Sequence, residues 1–180
     1  VASAGLASRT VTVTVTDNDV LGLDVTPTAL TVAEGATGTF QVRLTAQPPG
    51  AVSVALASND PSAVTTTPTS LSFSTTDWNS FKTVTVNAVD DPDAASETVT
   101  VAVSSAGMTT RNVTVTTTDN DTLGIQVSTT SVSITEGGSG TFQVRLTAQP
   151  PGTTSVTVPS PDTGAVSVSG SPLSFTTGDW

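Results

Sequence analysis

The sequence predicts an all-β protein, and three observations support this fold class. Thr, Val and Ser dominate the composition, and β-branched residues such as Thr and Val favour strands. The 14 glycines and 11 prolines recur at short intervals, between stretches in which apolar and polar residues alternate. A long internal repeat also divides the chain into units of about 100 residues, the size of a small β-domain.

The repeat defines the expected domain organisation. Val1–Trp78 aligns with Val103–Trp180 without a gap, at an offset of 102 residues, and 44 of the 78 aligned pairs are identical. The segment GTFQVRLTAQPPG recurs unaltered at Gly38–Gly50 and Gly140–Gly152. We therefore interpret the sequence as a window on a longer tandem array. It is predicted to contain the final strand of a preceding repeat (1–19), a complete domain (20–121) and the N-terminal part of the following repeat (122–180).

Within the complete unit, alternation of apolar and polar residues marks seven strands, A to G. Turn-forming residues separate them at intervals of about 8 to 12 residues, which is typical of an immunoglobulin-like, seven-stranded antiparallel β-sandwich. Breaks are expected near Pro27 in strand A and near Pro68 in strand D. The expected strands are A (Leu21–Ala33), B (Thr37–Ala46), C (Ala51–Ala57), D (within Ala63–Ser74), E (Phe81–Val89), F (Glu97–Ser104) and G (Thr110–Thr118).

The alternation also predicts a mostly aliphatic core, since aromatic residues make up only 4% of the chain. Trp78 and Phe81 are expected near one end of this core. The predicted core residues are Leu23, Val25, Phe40, Val42, Leu44, Val54, Leu71, Phe73, Val84, Val86, Val99, Val101, Val113 and Val115.

The charge balance and the residue types that are missing argue against several functions. The chain has 15 acidic and 5 basic residues, a formal net charge of −10, whereas nucleic acids and anionic membranes require a basic face. It has no Cys and no His, which removes disulfides, the usual zinc ligands and the commonest general base, so we expect no enzymatic activity. No apolar run is long enough to span a bilayer, and any export signal is expected to lie outside this sequence.

Seven of the ten carboxylates of the complete unit are predicted to gather at one end. If successive strands run alternately up and down, the A–B, C–D and E–F loops and the end of strand G share that end. This holds only if Ala63–Ser74 makes a single traverse, because two opposed strands there would split the group. Like charges repel, and a bound cation would neutralise them; oxygen ligands alone suit Ca²⁺ better than Mg²⁺. The predicted ligands are Glu34, Asp60, Asp90, Asp91, Asp93, Asp119, Asn120 and Asp121.

Two of these features also have simpler interpretations. Asp119–Asp121 and the equivalent Asp17–Asp19 could be polar turns that end a strand, because Asp and Asn hydrogen-bond to the nearby backbone. Trp78 and Trp180 could form a platform for sugar stacking or an end cap of the core, and the scarcity of aromatic residues favours the cap.

Four motifs of the central unit occur in a characteristic order and spacing: VAEGATGTFQVRL (Val32–Leu44), SNDP (Ser58–Pro61), AVDDPD (Ala88–Asp93) and VTVTTTDND (Val113–Asp121). Together they resemble the Calx-beta domain, a family first described in sodium–calcium exchangers and common in bacterial surface proteins and adhesins. The resemblance covers the whole central unit. It implies a seven-stranded sandwich that binds Ca²⁺ through the loops of one end.

Carried over residue by residue, the resemblance implies ligands at Glu34, Asp60, Asp90, Asp91 and Asp119–Asp121. There is one departure from the family pattern: Ala94–Ser96 occupy a stretch where members often have an acid–glycine pair. Glu97 is displaced into predicted strand F, and Asp93 is expected to substitute. The incomplete copies in the partial repeats are Asp17, Asp19, Glu136 and Asp162.

These features predict a calcium-binding structural extender segment of a long extracellular or cell-surface fibre or adhesin. Only Thr122, Leu123 and Gly124 separate Asp121 from the next predicted strand, so calcium at the end of one repeat would lie at its junction with the next. The expected partners are neighbouring repeats of the same chain, with other copies in a filament or surface layer as further candidates. The alternatives are a direct carbohydrate- or protein-binding adhesive module and an accessory domain of a secreted multidomain enzyme.

Overall fold

The structure, a computed structural model, describes residue 1 and residues 4–180. This part of the chain is all-β, and no helix within it has the length and apolar character that a membrane crossing requires. Between residues 20 and 121 the strands are β1 (Leu23–Thr26), β2 (Ala29–Ala33), β3 (Thr37–Leu44), β4 (Val52–Ser58), β5 (Val64–Thr67), β6 (Ser70–Phe73), β7 (Lys82–Ala88), β8 (Thr98–Ser104) and β9 (Arg111–Thr118).

These strands form two sheets around one core. The four-stranded sheet has the order β1-β3-β7-β5, and all of its neighbouring strands are antiparallel. The five-stranded sheet has the order β2-β9-β8-β4-β6, in which β2 and β9 are parallel and the other pairs are antiparallel. Apolar side chains from both sheets make a single buried cluster, so the sheets are two layers of one unit.

Prolines divide two of the predicted strands. Strand A becomes β1 and β2 on either side of the cis Thr26–Pro27 peptide, and strand D becomes β5 and β6 on either side of the cis Thr67–Pro68 peptide. In both cases the two halves lie in different sheets. The expected breaks near Pro27 and Pro68 are confirmed, but the seven predicted strands are nine in the structure because the chain changes layer at each break.

The pairing shows that β5 and β6 together make one traverse. A short loop joins the end of β4 to the start of β5, with the Val64 N–H donating to the Asp60 carbonyl at 3.0 Å. From that end, β5 runs away along the four-stranded sheet, and β6 runs the same way because it is antiparallel to β4. Loops 34–36, 59–63 and 89–97 and residues 119–121 consequently share one end of the unit, which we call the acidic end.

The predicted core is confirmed, and all fourteen of its residues belong to the buried cluster. Phe40 and Phe73 are its largest fully buried side chains. Trp78 is partly buried and packs against the cluster, as the end-cap interpretation requires. Phe81 lies at the surface instead, because it precedes β7 and is not part of an inward-facing row. The Arg43 guanidinium covers one face of its ring, 4.5 Å from the ring centroid.

The segments on either side of the nine strands are less regular. Residues 7–22 contain no strand, and Val11, Val13 and Val15 are exposed. The strand predicted there has no counterparts of β2 and β8 beside it, which are the neighbours that hold β9 in place. Residues 122–180 contain two two-stranded antiparallel sheets, made of β10 (Ile125–Val127) with β11 (Val144–Leu146) and β12 (Thr154–Val156) with β13 (Leu173–Phe175).

Candidate metal centre

The acidic end lies where the inward-facing rows of the core run out. Glu34 follows the buried Val32 by two residues, and Glu97 precedes the buried Val99 by two. Asp119 continues the inward-facing row of β9. Because side chains alternate across a strand, each acid takes the next inward position in its row. Carboxylates rather than apolar side chains therefore close the core at this end.

Three carboxylates form the centre of the site. One oxygen from each of Glu34, Asp91 and Glu97 lies within 4.8 Å of the others, and we call this group the acidic trio. Glu34 is only 6% exposed, and the other two are partly buried. The three residues come from the loop after β2, the loop after β7 and the residue before β8, so the fold brings distant parts of the sequence together.

Backbone contacts fix the position of Glu34. Its N–H donates to the carbonyl of Thr118 at 3.0 Å, which ties the loop after β2 to the end of β9. The next residue, Gly35, has a φ of 68°, the left-handed conformation that glycine adopts without strain. The Ala36 N–H then donates to the Ala33 carbonyl at 3.0 Å and closes the turn. This turn holds the Glu34 side chain over the end of the core.

A buried threonine holds Glu97. The Thr117 hydroxyl donates to Glu97 Oε2 at 2.5 Å and accepts from the Glu97 N–H at 3.1 Å. Thr117 is fully buried in β9. Because its one hydroxyl proton goes to Glu97, Thr117 has no donor left for the Glu34 carboxylate.

The exit of β9 is tied to the E–F loop, residues 89–97. Asn120 Nδ2 donates to Asp90 Oδ1 at 2.8 Å, and the Asp119 N–H donates to Ser96 Oγ at 3.2 Å. Asp119 Oδ1 in turn accepts from the Asp121 N–H at 2.5 Å. Among the described residues, Asp119 Oδ2 is left buried and without a hydrogen-bond partner.

The site carries negative charge that is not compensated within it. Among the described residues, both carboxylate oxygens of Glu34 and Oδ2 of Asp119 are buried without a hydrogen-bond partner, which is costly for a charged group. Burial, followed by repulsion from Asp91, Asp119, Glu97 and Asp90, raises the pKa of Glu34 from 4.5 to about 7. Such an arrangement of oxygens could hold a metal ion.

The structure brings five of the eight predicted ligands together. Glu34 and Asp91 belong to the acidic trio, and the charges of Asp90 and Asp119 act directly on Glu34. Asn120 reaches the group through its bond to Asp90.

The other three predicted ligands lie outside this group. Asp60 is at the same end of the unit, but its Oδ1 accepts from the hydroxyl and the N–H of Ser62, and these bonds lower its pKa. Asp93 Oδ1 accepts from the Ala95 N–H at 2.7 Å. Asp121 is exposed, and its N–H bonds to Asp119.

Glu97 is the site residue that the sequence analysis left out. It was expected inside strand F, whereas β8 begins at Thr98 and Glu97 lies just before it. A signal for its role was present, because Glu97 has the same parity as the buried Val99 and Val101 and so faces the core.

The incomplete copies behave as turn residues. The Asp19 N–H donates to Asp17 Oδ1 at 2.9 Å, the same local bond that joins Asp121 to Asp119. Glu136 is exposed, and Asp162 Oδ1 accepts from the Gly164 N–H at 3.0 Å. In the described part of the chain, the acids of the partial repeats join no group of three close carboxylates.

Fold and site together define a two-sheet β-unit whose core ends in carboxylates that could hold a metal ion. No protein-family model matches the chain, and comparison with curated proteins found no match. Similar solved structures include domains 1–6 of the surface layer protein SbsC, at 26% identity and a TM-score of 0.44, over 64% of this chain and 15% of that one. Domains 4–9 of SbsC match at 20% identity and a TM-score of 0.44, over 94% and 29% of the two chains. A chaperone–tip adhesin complex of CFA/I fimbriae matches at 8% identity and a TM-score of 0.45, over 59% and 61%. This chain spans less than two thirds of each of these structures.

Proposed function

We propose that residues 20–121 form an immunoglobulin-like unit of the Calx-beta type, repeated about every 102 residues, that binds Ca²⁺ at the acidic trio. The observation that carries the proposal is the buried carboxylate of Glu34. Within the described residues its two oxygens have no partner, and it lies among the charges of Asp91, Glu97 and Asp119. A cation would satisfy these oxygens and cancel the repulsion between the acids.

The donor set favours calcium over other metals. The chain contains no His and no Cys, which zinc and most transition metals prefer as ligands. Ca²⁺ accepts about 6 to 8 oxygens in flexible geometry, whereas Mg²⁺ tends to keep its own waters. Glu34, Asp91 and Glu97 would hold the ion, and Asp90 and Asp119 would complete the set of carboxylate oxygens. In a chain without disulfides, such an ion would act as the cross-link between these loops.

The proposed role is mechanical, because the site lies beside the junction with the next unit. Thr147 Oγ1 donates to the Thr122 carbonyl at 2.6 Å, and the Thr147 N–H donates to the Gly124 carbonyl at 3.0 Å. Asp121 is bonded directly to Thr122, so the chain passes from the site to the anchored start of the next unit without a free linker. A ligand that binds only the ordered arrangement favours it by mass action. Calcium would therefore both stabilise the unit and stiffen the junction.

We further propose that the chain is a structural segment of a long extracellular or cell-surface fibre. Its partners in that setting would be neighbouring repeats and other copies of the chain. Repetition of the unit supports this role because each added unit would add length. A unit that has no disulfide and many acidic residues would depend on a bound ion for rigidity. We propose no catalytic role.

The test is calcium binding by the 180-residue chain, measured by titration calorimetry and by thermal unfolding with calcium and with chelator. We expect heat of binding and a higher melting temperature with calcium. The double substitution Asp90→Asn and Asp91→Asn should abolish both effects. Asp24→Asn is a suitable control, since Asp24 pairs with Arg43 in the four-stranded sheet, away from the acidic end. No binding heat together with an unchanged melting temperature would overturn the proposal.

A further inference from the structure

A main-chain contact joins the E–F loop to the segment that follows the complete unit. The Gln149 N–H donates to the Pro92 carbonyl at 2.8 Å, and Asp93 and Gln149 form a parallel β-bridge. Gln149 belongs to the AQPPG sequence between β11 and β12, which we call the B–C corner; its counterpart in the complete unit is Ala46–Gly50. The E–F loop that supplies Asp91 to the acidic trio therefore also touches the next repeat.

The local sequence leaves the Gln149 N–H available for this contact. The Gln149 side chain is used within its own repeat, where Nε2 donates to the Thr177 carbonyl at 2.6 Å. The next two residues, Pro150 and Pro151, have no N–H. The Gln149 backbone N–H is thus the donor that the corner presents to the E–F loop, while the side chain fixes the shape of the corner.

We propose that the E–F loop of each repeat is a latch that holds the B–C corner of the following repeat through this main-chain hydrogen bond. The covalent link at Asp121–Thr122 gives consecutive units one point of attachment, about which they could turn in any direction. The latch adds a second point and restricts that motion to one axis. The corner belongs to the segment that recurs unaltered at Gly38–Gly50 and Gly140–Gly152, so each repeat offers the same surface to the one before it. The latch deepens the proposed junction role but needs no bound cation.

Gln47 provides a control within the same chain. It has the same neighbours as Gln149, and its Nε2 makes the equivalent bond to the Thr75 carbonyl at 2.8 Å. Residues 1–19 align with residues 103–121 and contain no counterpart of Pro92. In the part of the chain that the structure describes, the Gln47 N–H donates to no backbone carbonyl. Both glutamines thus make the side-chain bond of their own corner, but of the two only Gln149 makes the main-chain bond of the latch.

Amide hydrogen exchange, measured by NMR on the 180-residue chain, tests the latch directly. The Gln149 amide should exchange about tenfold more slowly than the Gln47 amide, the order expected of one hydrogen bond. The measurement is made with calcium and with chelator, and slow exchange of Gln149 in either condition supports the latch. Equal rates for the two amides in both conditions would overturn it. Calcium binding is followed separately by calorimetry, so failure of the metal site and failure of the latch are distinguishable.

A second measurement, the distribution of distances between two spin labels, tests whether the latch restricts motion between consecutive units. The chain has no cysteine, so Thr83→Cys on β7 and Ser155→Cys on β12 give one pair of exposed spin-label sites, one on each side of the junction. Gln149→Pro removes the latch N–H and should at least double the width of the distance distribution. Gln47→Pro removes an equivalent amide and side-chain bond but no latch, and should leave the width unchanged. An unaltered width in the Gln149→Pro chain would contradict the proposal.

Discussion

Replacing Glu34 by Gln should stabilise the metal-free chain and remove most of its response to calcium. Glu34 is 6% exposed, and in the described structure its carboxylate has no hydrogen-bond partner. Glutamine has nearly the same shape without the charge, and its amide can donate toward the Asp91 and Glu97 carboxylates. The substitution therefore relieves repulsion in the empty site but removes a charged ligand from the occupied one.

The pKa of Glu34 sets the size of the effect. A tenfold change in proton affinity is worth about 1.4 kcal/mol, so the rise from 4.5 to about 7 corresponds to at most about 3.5 kcal/mol of destabilisation by the ionised form near pH 8. For a domain of this size, 1 kcal/mol moves the melting temperature by about 4 to 8 °C. In chelator, the Glu34→Gln chain should therefore melt above the unsubstituted chain, with an upper limit of about 14 to 28 °C.

Calcium should reverse this order. A ligand at about 1,000 times its dissociation constant stabilises the folded state by about 4.1 kcal/mol, more than the largest difference expected in chelator, and only the chain that retains Glu34 should gain this in full. Scanning calorimetry at about pH 8, with calcium and with chelator, measures both differences. Glu136→Gln is the matched control, since Glu136 aligns with Glu34 but is exposed, and it should change neither value. A Glu34→Gln chain that melts lower in chelator, or that keeps the full calcium response, would refute this account of the site.

The raised pKa of Glu34 also predicts a pH dependence in the metal-free chain. Because the folded chain holds the Glu34 proton more tightly than the unfolded chain, protonation of Glu34 favours folding. This contribution to the free energy of unfolding is fully present below about pH 4.5 and is lost as the pH rises through about 7. Urea unfolding should show this loss in the unsubstituted chain but not in Glu34→Gln, and parallel curves would contradict it. Asp91→Asn should weaken calcium binding at least about tenfold in calorimetry, a loss of about 1.4 kcal/mol. Asp60→Asn should weaken it less, because Asp60 is hydrogen-bonded to Ser62 outside the acidic trio, and equal losses would place Asp60 in the site. Phe40→Ala should cost about 3 to 5 kcal/mol in urea unfolding, because the ring is fully buried; a cost under about 1 kcal/mol would be inconsistent with that position.

The strands and the core could be predicted because the information that defines them is local. Each inward-facing residue has its next inward neighbour two positions away, so a row such as Val99, Val101 and Val103 is visible in the sequence. The change of sheet at Pro27 and Pro68 could not be predicted in this way. A proline indicates where a strand is interrupted, but the layer that the chain joins afterwards depends on pairing with distant strands.

The candidate site was predictable in part for the same reason. The end of the unit at which the acids gather follows from strand direction alone, but membership of the trio depends on side-chain direction at the strand ends. For this reason Asp60, which was predicted as a ligand, lies outside the acidic trio, whereas Glu97, which was not, belongs to it. Asp60 is used by its own turn, whereas Glu97 continues an inward-facing row and is held by Thr117 from the neighbouring strand.

The parallel pairing of β2 with β9 determines how the unit would respond to tension. Five residue pairs join the two strands, from Ala29 with Thr114 to Ala33 with Thr118. In a tandem chain under load, the pull enters through β1, which pairs with β3, and leaves at the end of β9. Beyond β1 it reaches the start of β2, and in a parallel pair the start of one strand and the end of the other lie at opposite ends. The two strands must then slide along each other, so the hydrogen bonds between them share the force instead of opening one at a time. Beyond β1, unfolding by stretching therefore requires shear of this short ladder, and its resistance to stretching increases with the number of residue pairs in it.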